Sequence, residues 1–287
     1  MKSSKIVQSC FVFFLFILLS SHVYAIDMEI GININNIGIN DDGTFNSKVP
    51  DFGFDIKVSG AFTEMVSATF TLQRTPFIGN LLKPRLNFST RNIFFEIGPS
   101  ISVLNNGTGS TNKGLVSPIQ PGFGIGMGVN LDNGFFALFD IDFSLATGKK
   151  GSAVFINNGR FEIGARLGQT MFSLSVDQYT RSYSKDTQEM LSSLTDIGLN
   201  FEVFSKGSPF RFPFTCVFRI LHHDGVVSGT GFTLGAISLS AGLTHHIFYD
   251  MAWYTLVEVS LMSFPMINTA ATFPTFYKIR SGVRFTL

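Results

Sequence analysis

From Met28 onward, apolar residues recur at every second position, set against small or polar ones. Met28, Ile30, Ile32 and Ile34 alternate with Glu29, Gly31, Asn33 and Asn35. Phe52, Phe54, Ile56 and Val58 alternate with Gly53, Asp55, Lys57 and Ser59. Successive side chains of a strand point to opposite faces, so each stretch predicts a strand with one apolar and one polar face. The pattern recurs to the end of the chain and predicts about fourteen strands, with twelve or sixteen as the neighbouring counts. In the sixth, Phe123, Ile125, Met127 and Val129 oppose Gly122, Gly124, Gly126 and Gly128. Phe94, Phe136 and Leu138, on the strands either side, are expected to pack across those glycines. The twelfth, near Thr230 to Leu243, changes phase around Gly235-Ala236, which predicts a bulge there.

The connections alternate in length. Short ones fall at 63–65, 90–92, 132–134, 168–170 and 205–209, with a somewhat longer turn near 244–250. Long ones fall near 38–50, 75–84, 105–118, 146–157, 180–194 and 262–275, with 223–229 a shorter member of that set. Asp132-Asn133-Gly134 is a strong hairpin signal. In an up-and-down antiparallel sheet alternate connections share an end. The chain therefore predicts tight turns at one end and long loops at the other. An even strand number returns both termini to the tight-turn end.

The closing stretch carries the most informative pattern. Tyr277, Ile279, Ser281, Val283, Phe285 and Leu287 fall on one face, and Lys278, Arg280, Gly282, Arg284 and Thr286 on the other. Through Tyr277, Ile279, Val283, Phe285 and the terminal Leu287, this resembles the last strand of bacterial outer-membrane β-barrel proteins. That strand usually ends on Phe rather than Leu. The resemblance implies an all-β, transmembrane, up-and-down antiparallel barrel in the bacterial outer membrane. It also implies outer-membrane lipid and the barrel-assembly machinery as partners.

Composition agrees. Of 287 residues, 45% are hydrophobic and 14% charged, against about 25% charged in soluble domains. Residues 1–25 read as a cleaved signal peptide, with Lys2 and Lys5 before the apolar run Cys10 to Leu19 and Val23-Tyr24-Ala25 at the cut. Residues 26–287 then form one domain, and no later run is long and apolar enough for a spanning helix. Without Lys2 and Lys5, 21 − 2 = 19 basic residues face 20 acidic ones, so nothing points to nucleic acid. Cys216 is the one cysteine left, among phenylalanines on an apolar face, which excludes an intrachain disulfide.

A secreted β-sandwich would show the same two-faced strands. Three features favour lipid: polar faces rich in Gly, Ser and Asn but thin in charge, Phe on nearly every apolar face, and the loop asymmetry. The polar faces then line a lumen. Its charged candidates are Asp55, Glu96, Asp140, Asp142, Arg166, Arg211, Arg219, Arg280 and Arg284. One arrangement sets a basic wall (Arg211, Arg219, Arg280, Arg284) across from an acidic one (Asp55, Glu96, Asp140, Asp142), and structural cross-strand pairing is the alternative. Asp140 and Asp142 are expected beside the strand of Arg160 and Arg166. The expected function is porin-like passive diffusion of small polar solutes. The alternatives are a closed barrel for adhesion or structure, and a channel for hydrophobic solutes suggested by inward Val217, Leu221 and Leu256. No enzyme, cofactor or metal is expected. His222-His223 and His245-His246 sit at opposite ends of one strand and read as interfacial, and Asp140, Asp142, His223 and Asp224 are too far apart for an Asp/His site.

Overall fold

The computed structural model describes residues 25–36, 51–75, 79–103, 119–147, 153–185, 188–204, 207–225, 232–248, 250–267 and 275–286. The first seven strands are β1 (Ala25–Asn35), β2 (Asp51–Ala61), β3 (Val66–Thr75), β4 (Gly79–Ser89), β5 (Ile93–Val103), β6 (Ile119–Asn130) and β7 (Phe135–Thr147). The next seven are β8 (Ala153–Leu167), β9 (Thr170–Lys185), β10 (Gln188–Phe204), β11 (Phe210–Gly225), β12 (Phe232–Phe248), β13 (Met251–Ile267) and β14 (Tyr277–Thr286). Each strand pairs antiparallel with its neighbours in sequence, and β14 pairs with β1 to close the barrel. The signal-peptide expectation for 1–25 lies outside the described residues apart from Ala25, as do the loop at 105–118 and the terminal Leu287.

The closing seam follows the pattern of the last strand. Glu29 stands opposite Arg284, Asn33 opposite Arg280 and Asn35 opposite Lys278, while Met28, Ile30 and Ile34 meet Phe285, Val283 and Ile279. Charges of opposite sign thus share the inner face and apolar groups share the outer one. Ile30, Phe95, Phe139, Phe161, Phe172, Leu199, Phe214, Leu239, Trp253 and Val257 are all exposed on the exterior. Exposed apolar surface on so many strands cannot be left to water, and in a closed barrel it is the face that meets lipid.

Strand length divides the wall. The strands β1–β7 and β14 have 10 to 13 residues, and β8–β13 have 15 to 17. At about 2.5 Å of height per tilted residue, eleven residues cross a ~25 Å apolar band and sixteen rise well above it. This corrects four expected loops. The connection 75–84 shrinks to 76–78, 146–157 to 148–152, 180–194 to 186–187 and 262–275 to 268–276, because the flanking residues continue the strands. Outside the apolar band, as in the added lengths of β8, β9, β10 and β13, a strand needs no greasy face, so its residues look like loop.

The tight turns match expectation except the one near 244–250, which shrinks to 249–250 because β12 runs on to Phe248. Gly134 takes a φ of 88°, open to glycine at little cost, and its N–H donates to Leu131 O at 2.9 Å. The phase slip is real but belongs to the neighbouring strand. Ile237 pairs with Met262 and Ser238 with Ser260, and Thr233 with Ile267 and Leu234 with Pro265, so the extra residues are Leu261 and Met266 on β13. On β12, Leu234, Ala236, Ser238 and Ser240 are all buried and hold one phase along the inner face.

Candidate functional site: the barrel lumen

Two buried charge clusters cross the lumen wall. The first begins with two prolines. Pro84 and Pro99 lack backbone N–H groups, and the β4–β5 ladder has a gap between Leu82↔Ile101 and Leu86↔Ile97. Arg85 fills the gap, its Nη1 donating to Gly98 O at 2.9 Å and Pro99 O at 2.7 Å. Its Nη2 meets Asp142 on β7, as does Lys83, which also donates to Asp140 Oδ2 at 3.1 Å. Arg85 on β4 reaches β7 because β6 between them presents glycines. A Cβ on Gly124 would collide with the Arg85 guanidinium and the Asp142 carboxylate, one on Gly126 with Glu96, and one on Gly128 with the Phe94 ring. The glycine row is therefore a floor on which these side chains lie flat. Phe94 packs there as expected, whereas Phe136 lies over Gly164 of β8, with the Arg166 guanidinium 5.1 Å above its ring.

The second cluster centres on Arg219 of β11. It grips Asp196 on β10 through Nε at 2.7 Å and Nη2 at 2.6 Å, and Glu258 on β13 through Nη1 at 2.9 Å. To reach β13 it passes β12, whose inner face there is Ala236, Ser238 and Ser240. Arg219 is 2% exposed, so it is spent on its two carboxylates.

Other pairs sit lower and see more solvent. Arg280 lies between Glu29 (3.4 Å) and Asp55 (3.3 Å), and Arg160 between Glu162 (2.7 Å) and Asp177 (3.6 Å). Arg284 pairs with Glu29 at 2.9 Å and Arg211 with Glu202 at 3.5 Å. Toward the tight turns the arginine side chains open to water: Arg284 is 62% exposed, Arg211 49% and Arg160 46%. Toward the long-loop end, Leu81, Ser100, Ser102, Gln120, Ser144 and Ile156 are buried on one side. Leu194, Leu221, Leu234, Ala236 and Phe276 form a buried apolar cluster on the other, with Tyr179 packed against it. Between these ends lies a cavity of about 230 Å³, walled by β1–β3 and β14 on one side and β8–β11 on the other.

This is an outer-membrane β-barrel fold. The chain aligns with an outer membrane channel from Pseudomonas putida F1 at 8% identity and a TM-score of 0.53, covering 92% of this chain and 96% of that one. The alignment with an anion-selective porin from Comamonas acidovorans is looser, with 10% identity, a TM-score of 0.42, and 92% and 99% of the two chains. No family model matches the chain, and no curated protein matches its sequence.

Within the barrel, the nine expected lumen charges do not form facing walls. Arg211, Arg219, Arg280 and Arg284 each have a carboxylate beside them, so Arg219 meets Asp196 and Glu258, and among the described residues Arg280 alone of the four pairs with a member of the expected acidic set, Asp55. Asp140 and Asp142 lie beside the strand of Arg160 and Arg166 as expected, with Asp140 opposite Arg160, while the ion pairs of Asp142 run across the glycine floor to Lys83 and Arg85. Arg166 instead donates to Asn130 Oδ1 at 3.3 Å. Lys83 and Arg85 escaped the sequence reading because Pro76, Gly79 and Pro84 mark the segment as a loop.

The histidines divide. His245 stacks on Phe210 at 4.6 Å, an interfacial arrangement near a tight turn. His223 is not interfacial: it is buried, 2.8 Å from Ser192 Oγ through Nδ1. No cluster among the described residues gathers three potential metal ligands.

Proposed function

We propose that the barrel is a narrow, selective outer-membrane channel for small polar solutes. The observation that carries this reading is the gradient along the lumen. Water-exposed arginines at the tight-turn mouth lead to a polar mid-lumen cavity, and the wall beyond it is packed. Paired charges at a constriction orient polar solutes as they pass, so selectivity follows from the lining rather than from width alone. A wide general pore would keep its lining exposed from end to end. The buried Ser100, Ser102, Gln120 and Ser144 argue for a restricted path instead.

Planar-bilayer recording tests this. Purified barrel should give discrete conductance steps, and Arg280→Ala with Arg284→Ala should shift the cation/anion permeability ratio. Absence of any step above baseline would remove the channel assignment.

A hydrophobic-solute pathway has one observation in its favour, the inward apolar cluster of Leu194, Leu221, Leu234 and Phe276. Flux of a neutral aromatic such as toluene that exceeds flux of polar solutes of equal size would favour it.

A further inference from the structure

We infer that the mid-lumen cavity is a selectivity site for small zwitterions that carry an apolar body, solutes of about the size of a free leucine. The inference rests on the channel reading above and names the solute class of that channel. Three features of the cavity lead to it.

The first is a set of arginines already held by carboxylates, with a lysine beside them that is not. Arg160, Arg219 and Arg280, all lining the cavity, are each held between two carboxylates, so none is available whole to an anionic guest. Lys278 also lines it, and among the described residues its ammonium has no ion pair or hydrogen bond. It is the donor a guest carboxylate would meet.

The second is accessible negative charge close by. Asp177 lines the same cavity with its side chain 27% exposed, held by Arg160 only at 3.6 Å. A guest ammonium has an acceptor there. A solute with a single charge would satisfy one of these groups and leave the other facing an uncompensated neighbour. A zwitterion answers both, because opposite charges a few ångströms apart interact strongly where water is scarce.

The third is an apolar surface on the same cavity. Leu194 and Tyr179 line it, and Leu221, Leu234 and Phe276 pack behind them as a buried cluster. The amides of Asn33, Asn35 and Gln73 complete a lining suited to hydrogen bonds. A volume of about 230 Å³ equals about eight waters at ~30 Å³ each, which admits a solute of roughly that many non-hydrogen atoms.

Liposome swelling with the intact barrel decides the matter, since zwitterions carry no current. At equal osmolarity a plain sieve passes glycine faster than leucine. The inference expects leucine to enter at least as fast as glycine, and faster than uncharged erythritol. In bilayer recording, leucine should interrupt the current at concentrations where isovalerate and isoamylamine, its single-charge relatives, do not. Lys278→Gln should lower the leucine-to-erythritol rate ratio about tenfold, and Lys278→Arg should restore most of it. Swelling rates that fall steadily with solute size, or equal interruption by isovalerate, overturn the zwitterion site and leave the channel standing. No swelling with any solute overturns the channel itself. The solute series on the unaltered protein is decisive even if the glutamine variant fails to assemble.

Discussion

The two buried clusters solve one problem with different materials. Arg85 must cross two strands to reach Asp142, and the Gly124 and Gly126 floor lets the ion pairs lie in the plane of the wall. Arg219 must cross one strand to reach Glu258, and Ala236, Ser238 and Ser240 leave just enough room. On the glycine side the packing beside Asp142 leaves no space for a water. On the serine side Arg219 borders the cavity. Small residues under a salt bridge thus decide whether it seals the wall or frames an open volume. The charges are alike, and the floors differ.

The largest effect should come from removing the glycine floor. Gly124→Val has nowhere to place its side chain without evicting Arg85 from Asp142, so the barrel should fail to reach its heat-modifiable form on refolding. Next come the arginines. Arg219→Met leaves Asp196 and Glu258 without their shared partner and Arg85→Met leaves the buried Asp142 to Lys83 alone, a loss on the order of 3–5 kcal/mol for a broken buried pair. Urea unfolding in lipid vesicles should read it. Arg85→Met should cost more, because the Gly98 and Pro99 carbonyls lose their donor as well. Replacing the second cluster whole, as Arg219→Met with Asp196→Asn and Glu258→Gln, should recover much of the loss while altering solute selectivity. Equal loss in the single and triple variants would count against the pairing argument.

The smallest stability effect belongs to the mouth. Arg211→Ala and Arg284→Ala remove half-exposed pairs, for which about 0–1 kcal/mol is typical. Their effect should appear in ion selectivity and fade as salt rises, since exposed charges are screened beyond a Debye length of ~10 Å at 0.1 M. A selectivity change that persists undiminished at 1 M salt would place these groups in a constriction rather than a vestibule.

Where lipid touches the wall, the chain announces its strands. Ile30 against Glu29, or Phe95 against Glu96, can be read because one face must be apolar and the other need not be. The upper halves of β9 and β10, with Thr180, Ser182, Ser184, Gln188 and Ser192, carry no such contrast and read as loop. The glycine floor is visible because a run of alternate glycines is rare. The Ala236-Ser238-Ser240 floor is not, since small polar residues are ordinary on a lumen face. Lys83 and Arg85 were hidden by Pro84, whose missing N–H creates the very gap that Arg85 fills. Charge neighbours are legible where strands adjoin, as with Asp140 opposite Arg160 and Glu29 beside Arg280 and Arg284, and not where an ion pair skips a strand. Sequence places residues on strands, but long side chains over a bare floor reach past the nearest one.

The contrast between sealed and open wall is tested most directly by cysteine accessibility. In a Cys216→Ser background, Lys57→Cys and Ser144→Cys each place a thiol on the inner face, the first at an exposed site and the second at one that is 2% exposed. Labelling of the folded barrel in vesicles with a membrane-impermeant maleimide on both sides should modify position 57 quickly and leave position 144 untouched until unfolding. Equal rates at the two positions would contradict the account, because the lumen would then be one continuous water-filled bore.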